Sequence, residues 1–122
     1  MSGYRPERVA EMIHRELAQR LRLEIKDPEL TPISITSVRV TRDLSRATIE
    51  YLPLGGSEAA PSLAGALERA GRHLRGPIGR ALRLRTAPEI VFIRDRHTEQ
   101  AIAVTSLLAK LSHERDGGDD EE

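Results

Sequence analysis

The chain is 122 residues long, has no cysteine and carries 19 basic and 19 acidic side chains, which fits one domain with a modest core and excludes disulfides and thiolate metal sites. The neutral total hides an uneven distribution: residues 114 to 122 hold six acids and one base, leaving residues 1 to 113 with 18 bases against 13 acids, a net of +5. Zero net charge is therefore no argument against a polyanionic partner, whereas three aromatics in all, Tyr4, Tyr51 and Phe92, argue against recognition by stacking bases on aromatic platforms.

Residues 1 to 8 contain no apolar signal region, and the longest aliphatic-aromatic run, Ile90-Val91-Phe92-Ile93, is too short to span a bilayer. A soluble cytoplasmic protein without membrane contact is expected. Residues 6 to 25 predict an amphipathic helix, because Val9, Ile13, Leu17 and Leu21 recur every four residues. Pro6 suits the first helical turn, and Asp27-Pro28 ends the helix. Residues 33 to 41 predict a strand whose alternation slips between Ile35 and Val38, the sign of a bulge or a late start. A second strand spans 46 to 54 after the short turn Arg42-Asp43-Leu44-Ser45, so the pair reads as an antiparallel hairpin, with Pro53 at a strand end or edge.

Gly55-Gly56-Ser57 breaks the chain, and helical periodicity resumes from about residue 59 or 60. Gly71 and Gly76-Pro77 interrupt the apolar series from Leu63 to Leu82, which predicts either two helices or one kinked helix. Residues 89 to 94 predict a strand covered on both faces and central in its sheet, because four apolar residues run together. A weaker helix follows over 98 to 111. The acidic, glycine-containing residues 113 to 122 are expected to form a disordered tail behind a single domain of residues 1 to 112. The order helix-strand-strand-helix-helix-strand, with a C-terminal helix or arm, is an α+β arrangement: helices on one face of a three-stranded mixed sheet.

The strongest chemical signal is a run of arginines without an acid: Arg69, Arg72, Arg75, Arg80, Arg83 and Arg85, with the next carboxylate at Glu89. On one helical wheel, those at 69, 72, 75, 80 and 83 fall within roughly 140°, opposite Leu63, Leu67, Ala70, Leu74, Ile78 and Leu82. A guanidinium fork bonds two phosphate oxygens at once, so such a face suits a polyphosphate backbone. The competing reading is a solvated face in a chain that uses 17 Arg and 2 Lys.

Three motif blocks, covering most of residues 5 to 95, resemble the ribosome-binding factor A family of bacterial small-subunit assembly factors. They are Arg5-x-x-Arg8-Val9-Ala10-x-x-Ile13-x-x-Glu16-Leu17 with Asp27-Pro28; Val38-x-Val40-Thr41-x-Asp43-Leu44-x-x-Ala47-x-Ile49; and Arg75-x-x-x-Gly79-x-x-Leu82-Arg83-Leu84-Arg85-x-x-Pro88-x-Ile90-x-Phe92. The resemblance implies a type II KH-like fold. It implies a non-enzymatic protein that binds free 30S subunits near the neck through 16S rRNA; a monomer is the default expectation, and no cofactor is expected. It further implies late 30S maturation, 16S rRNA processing around the 5′-terminal helix region, and growth in the cold.

In place of the KH Gly-x-x-Gly loop the family has an Ala-x-Gly kink. Here Ala70-Gly71-Arg72 stands at that place, with the glycine one position early, so the interhelical kink is expected at Ala70, Gly71 and Gly76. The family's usual Asp-x-Ser is Asp95-Arg96-His97 here, and no role is carried over. Gly76-Pro77-Ile78-Gly79 spells Gly-x-x-Gly, but Pro77 lacks an N–H for a nucleotide clamp, so a helix bend is the simpler reading.

Arg39, Arg42 and Arg46 surround the hairpin turn and either extend a basic surface or protect a sheet edge. Arg5 and Arg8 open the first helix, where the dipole slightly disfavours cations, as a phosphate site tolerates. His14, His73, His97 and His113 show no metal-ligand spacing, and there is no phosphate-loop or dinucleotide fingerprint. Two functions stand at this stage: an RNA-binding assembly factor, or an interaction module whose basic face meets an acidic protein.

Overall fold

The computed structural model describes residues 6–23, 32–54 and 61–120, with side chains through residue 114. The elements are α1 (Pro6–Leu23), β1 (Ile33–Val40), β2 (Arg46–Pro53), α2 (Leu63–Ala81), β3 (Glu89–Arg94) and α3 (Arg96–Asp120). This is the expected α+β class with a three-stranded mixed sheet, in the order β1-β2-β3. β1 and β2 are antiparallel, with Val40 opposite Ala47. β2 and β3 are parallel, with Ala47 opposite Ile90 and Ile49 opposite Phe92. The boundary expected at Asp27-Pro28 and the break at Gly55-Gly56 lie outside the described residues.

α1 starts at Pro6 with Glu7 in its first turn, where a carboxylate complements the helix dipole. Its Val9, Ile13 and Leu17 are fully buried. They meet Ala47 and Ile49 of β2, Leu74, Ile78 and Leu82, and Ile90 of β3 in one cluster, so α1 and α2 lie on the same face of the sheet. A second cluster of Tyr51, Leu63 and Leu67 joins the first through Phe92, whose ring meets Tyr51 edge-to-face at 6.3 Å.

The bulge is where the alternation slips, between Ile35 and Ser37, and Thr36 is the extra residue. The hairpin turn is held by Asp43, which accepts hydrogen bonds from Ser45 Oγ at 2.7 Å, Thr41 Oγ1 at 2.8 Å and Ser45 N at 3.1 Å. These donors, Ser45 first, hold its carboxyl below the usual range. Leu44 takes a left-handed conformation, φ 61°, and its half-buried side chain packs on the core.

Two expectations need correction. β3 is an edge strand and β2 is central. The apolar run 90–93 is not covered on both faces: Ile90 is buried, but Ile93 on the outer face is 47% exposed. Nor does the chain break into two helices near Gly71, since α2 is one helix of 19 residues with Pro77 inside it. Leu67, Ala70, Leu74 and Ile78 stay in phase across both glycines and are all buried, and this packing overrides local propensity. Gly71 serves a close approach instead: a Cβ there would lie 2.8 Å from the carbonyl oxygen of Ile90. Gly79 likewise faces Ala87, whose Cβ would be 2.6 Å away.

α3 covers the weak helix expected at 98–111 and continues through Asp120, so residues 113–120, expected to be disordered, are helical. All of residues 101–114 are exposed, so this arm is held chiefly at its first turn.

Candidate nucleic-acid interface

The predicted basic residues separate into two groups once their partners are known. On α2, Arg72 is paired with Glu68, one turn earlier, at 3.0 Å. This acid stands just outside the acid-free run, and exposed pairs of this kind contribute little stability, about 0.3–0.5 kcal/mol. Arg75 donates from Nε to the carbonyl oxygen of Ala87 at 3.1 Å, tying α2 to the loop before β3. Arg69 is exposed on the same helix. Ala70 and Gly71 are buried and Gly76 is half-buried, all within the continuous helix.

Arg80, Arg83 and Arg85 are exposed and form no ion pair with the described residues. Arg80 is in the last turn of α2, where a cation complements the dipole. Arg83 is not on the helix face assigned to it by the wheel. The helix stops at Leu82, and Arg83 takes a left-handed conformation, φ 56°. Leu84 N donates to Gly79 O at 2.9 Å and Arg83 N to Arg80 O at 3.1 Å. These two bonds make a Schellman cap, in which glycine usually occupies the left-handed position. Arg85 lies in the following loop.

The hairpin turn is at the same end of the sheet, since Glu89 N, at the start of β3, donates to Ser45 O at 2.9 Å. Leu44 and Leu84 also pack on the same cluster. Arg42 is exposed in this turn without an ion-pair partner among the described residues. Arg46 reaches Glu89 at 3.9 Å. Arg39 is on the outer face of the sheet, 3.3 Å from Glu50, which also accepts a hydrogen bond from Ser37 Oγ at 2.7 Å. Arg8 lines a depression along α1 with Glu7, Glu11, Met12 and Arg15, a mixed-charge surface and not a purely basic one. Arg5 is outside the described residues.

Sequence reasoning missed Asp95, a buried polar residue, 8% exposed. It accepts hydrogen bonds from Thr36 Oγ1 at 2.7 Å, Thr98 Oγ1 at 2.7 Å and Thr98 N at 3.0 Å. These donors, Thr36 first, lower its carboxyl to about 2. The residue caps α3 and ties the β1 bulge to the end of β3. Beside it, Arg94 holds Glu99 through two bonds, at 2.5 and 3.2 Å. The spacing Asp95-x-x-Thr98 is a legible helix-start signal. Among the described residues no group of three or more His, Asp or Glu is assembled to hold a metal, and no helix is long and apolar enough to cross a membrane.

The family model described as ribosome-binding factor A matches residues 5–108. A ribosome-binding factor A of Desulfitobacterium hafniense is 39% identical over 121 residues, covering 98% of this chain and 97% of that protein. The crystal structure of ribosome-binding factor A from Thermus thermophilus superposes with a TM-score of 0.64 at 26% identity, over 76% of this chain and 99% of that one. A homology model of the Thermus thermophilus factor, fitted into a cryo-EM map of its 30S complex, gives a TM-score of 0.59 at 25% identity over 71% and 91% of the two chains. With the sheet order, the helix layer and three motif blocks in agreement, the chain belongs to the ribosome-binding factor A family.

Proposed function

We propose that this chain is a ribosome assembly factor that binds the free 30S subunit through 16S rRNA. It assists late 30S maturation and rRNA processing without catalysing a reaction. Family membership over residues 5–108 carries the reading, and the Thermus thermophilus factor fitted into the map of a 30S complex supports the target. The exposed arginines of α2, its C-terminal loop and the hairpin turn supply the chemistry. Phosphate contacts by Arg69, Arg72, Arg75, Arg80, Arg83 and Arg85, with further contacts by Arg39, Arg42, Arg46, Arg5 and Arg8, give affinity that falls with salt.

The mechanism is population shift. Binding one conformation of the maturing RNA more tightly than another, around the neck and the 5′-terminal helix region, moves the RNA toward it. The factor acts as a cytoplasmic monomer, and the same bias supports growth in the cold. Residues 113 to 122 act as an acidic solvating tail on a domain of residues 1 to 112.

Sedimentation with 30S, 50S and 70S particles at two salt concentrations tests the target. Selective, salt-sensitive migration with 30S is the expected result, and Arg80→Glu with Arg83→Glu should abolish it while far-UV circular dichroism is unchanged. Undiminished co-sedimentation of that folded variant would reject this surface.

A further inference from the structure

A left-handed backbone is disfavoured for any residue with a Cβ, and a Schellman cap normally places glycine there. Arg83 holds that place at the end of α2 with φ 56°. The cap fixes its backbone by two hydrogen bonds, from Leu84 N to Gly79 O and from its own N to Arg80 O. Leu82 on one side is buried, and Leu84 on the other packs on the core. Neither neighbour can turn outward without losing that burial, so the exposed Arg83 side chain leaves the end of the domain from a fixed anchor.

Four of the arginines at this end have no ion pair among the described residues. Arg72 is committed to Glu68 and Arg75 to the Ala87 carbonyl. Arg80, Arg83 and Arg85, with Arg42 across the Glu89–Ser45 hydrogen bond, have no ion pair with the described residues. Unpaired guanidiniums need no internal pair broken before they meet a phosphate. A single left-handed Leu44 builds the facing turn, and its side chain anchors the turn to the same core.

We infer that the RNA backbone is anchored chiefly at this end of the domain, by Arg42, Arg80, Arg83 and Arg85 around the α2 cap and the hairpin turn, with weaker contacts along the middle of α2. Arg83 is kept in a glycine position because its guanidinium binds phosphate there. This rests on the proposed binding of ribosomal RNA and names the part of the surface that does it.

Arg83→Gly separates the fold from the site, because it removes the strain and the guanidinium together. Tm is expected to rise by about 3 °C. Affinity for purified 30S subunits is expected to fall about tenfold, and the slope of log affinity against log salt to decrease by about one. Arg42→Gln should do the same to affinity and slope, and Arg83→Lys should keep the wild-type slope. Arg72→Gln should lose affinity by about threefold, less than Arg83→Gly, because part of its guanidinium is already taken by Glu68. An Arg83→Gly protein with wild-type affinity, or an Arg72→Gln loss as large as that of Arg83→Gly, overturns the anchoring site while leaving 30S binding intact. Failure of the wild-type chain to bind 30S overturns the functional reading itself.

Discussion

Three glycines on one helix should answer the same substitution with opposite signs. Replacing Gly76 by Ala puts a Cβ 3.2 Å from the Arg80 guanidinium, the far end of a flexible, exposed side chain that can swing away. The helix then gains the propensity difference between Ala and Gly, about 0.8–1.0 kcal/mol. At Gly71 the new Cβ meets backbone, the Ile90 carbonyl oxygen at 2.8 Å, and at Gly79 it meets the Ala87 Cβ at 2.6 Å. Neither obstacle can rotate aside, so α2 must lift from β3 or from the loop before it. Overpacking of this kind costs about 1–3 kcal/mol, against the same propensity gain. Net destabilisation of up to about 2 kcal/mol is expected at each of these sites, and stabilisation of about 0.5–1 kcal/mol at Gly76. Urea denaturation followed by far-UV circular dichroism measures all three. Equal stabilisation of the three variants would show that helix propensity alone governs these positions and would refute the close-approach argument.

Other predictions follow from the junction and the arm. Asp95 has its carboxyl lowered to about 2 in the fold, from an ordinary value of 3.8. Its contribution is therefore full above about pH 4 and is lost as pH falls through about 2. Asp95→Asn should lower Tm at pH 7 and flatten the dependence of Tm on pH between those limits; an unchanged acid profile would refute the role. Thr36→Val, which removes the first of the donors to Asp95, should shift the same profile in the same direction. Truncation after Gln100 keeps the cap and the Arg94–Glu99 pair and removes only exposed or tail residues, so Tm should move by less than about 3 °C; a large loss would mean that the arm packs on the domain. Deleting residues 114–122 should leave affinity for unrelated RNA unchanged in a filter-binding assay if the tail only solvates, and a rise would show that it screens the basic body.

What the sequence made legible was decided by phase. The slip between Ile35 and Val38 marks the bulge because period-two alternation admits no other simple repair, and the i, i+4 series of α1 names its buried face directly. Edge and centre were not legible in Ile90–Ile93, because a run of apolar residues reads the same whether or not the second face is covered. Gly71 and Pro77 misled for a related reason. Their local preference is to break a helix, but the burial of Leu67, Leu74 and Ile78 on both sides holds one helix together. The arginine wheel holds for residues 69, 72, 75 and 80, exposed on one continuous helix, and fails for Arg83. Its axis ends at Leu82, and no glycine marks that end, since Arg83 occupies the capping position. Glu68 stands one residue before the acid-free run, so only its i, i+4 relation to Arg72 shows that Arg72 is paired.

The parallel pairing of β3 with β2 also sets an order of assembly. α1 and the hairpin are close in sequence, but the inner face of the hairpin, Ala47 and Ile49, is completed only by Leu74, Ile78, Leu82 and Ile90. A parallel partner cannot arrive by a tight turn, so the whole of α2 lies inside the loop that must close. A chain emerging N-terminus first therefore carries a half-covered apolar face until residue 94 is free. Helix and edge strand then dock together, as one cooperative step late in synthesis.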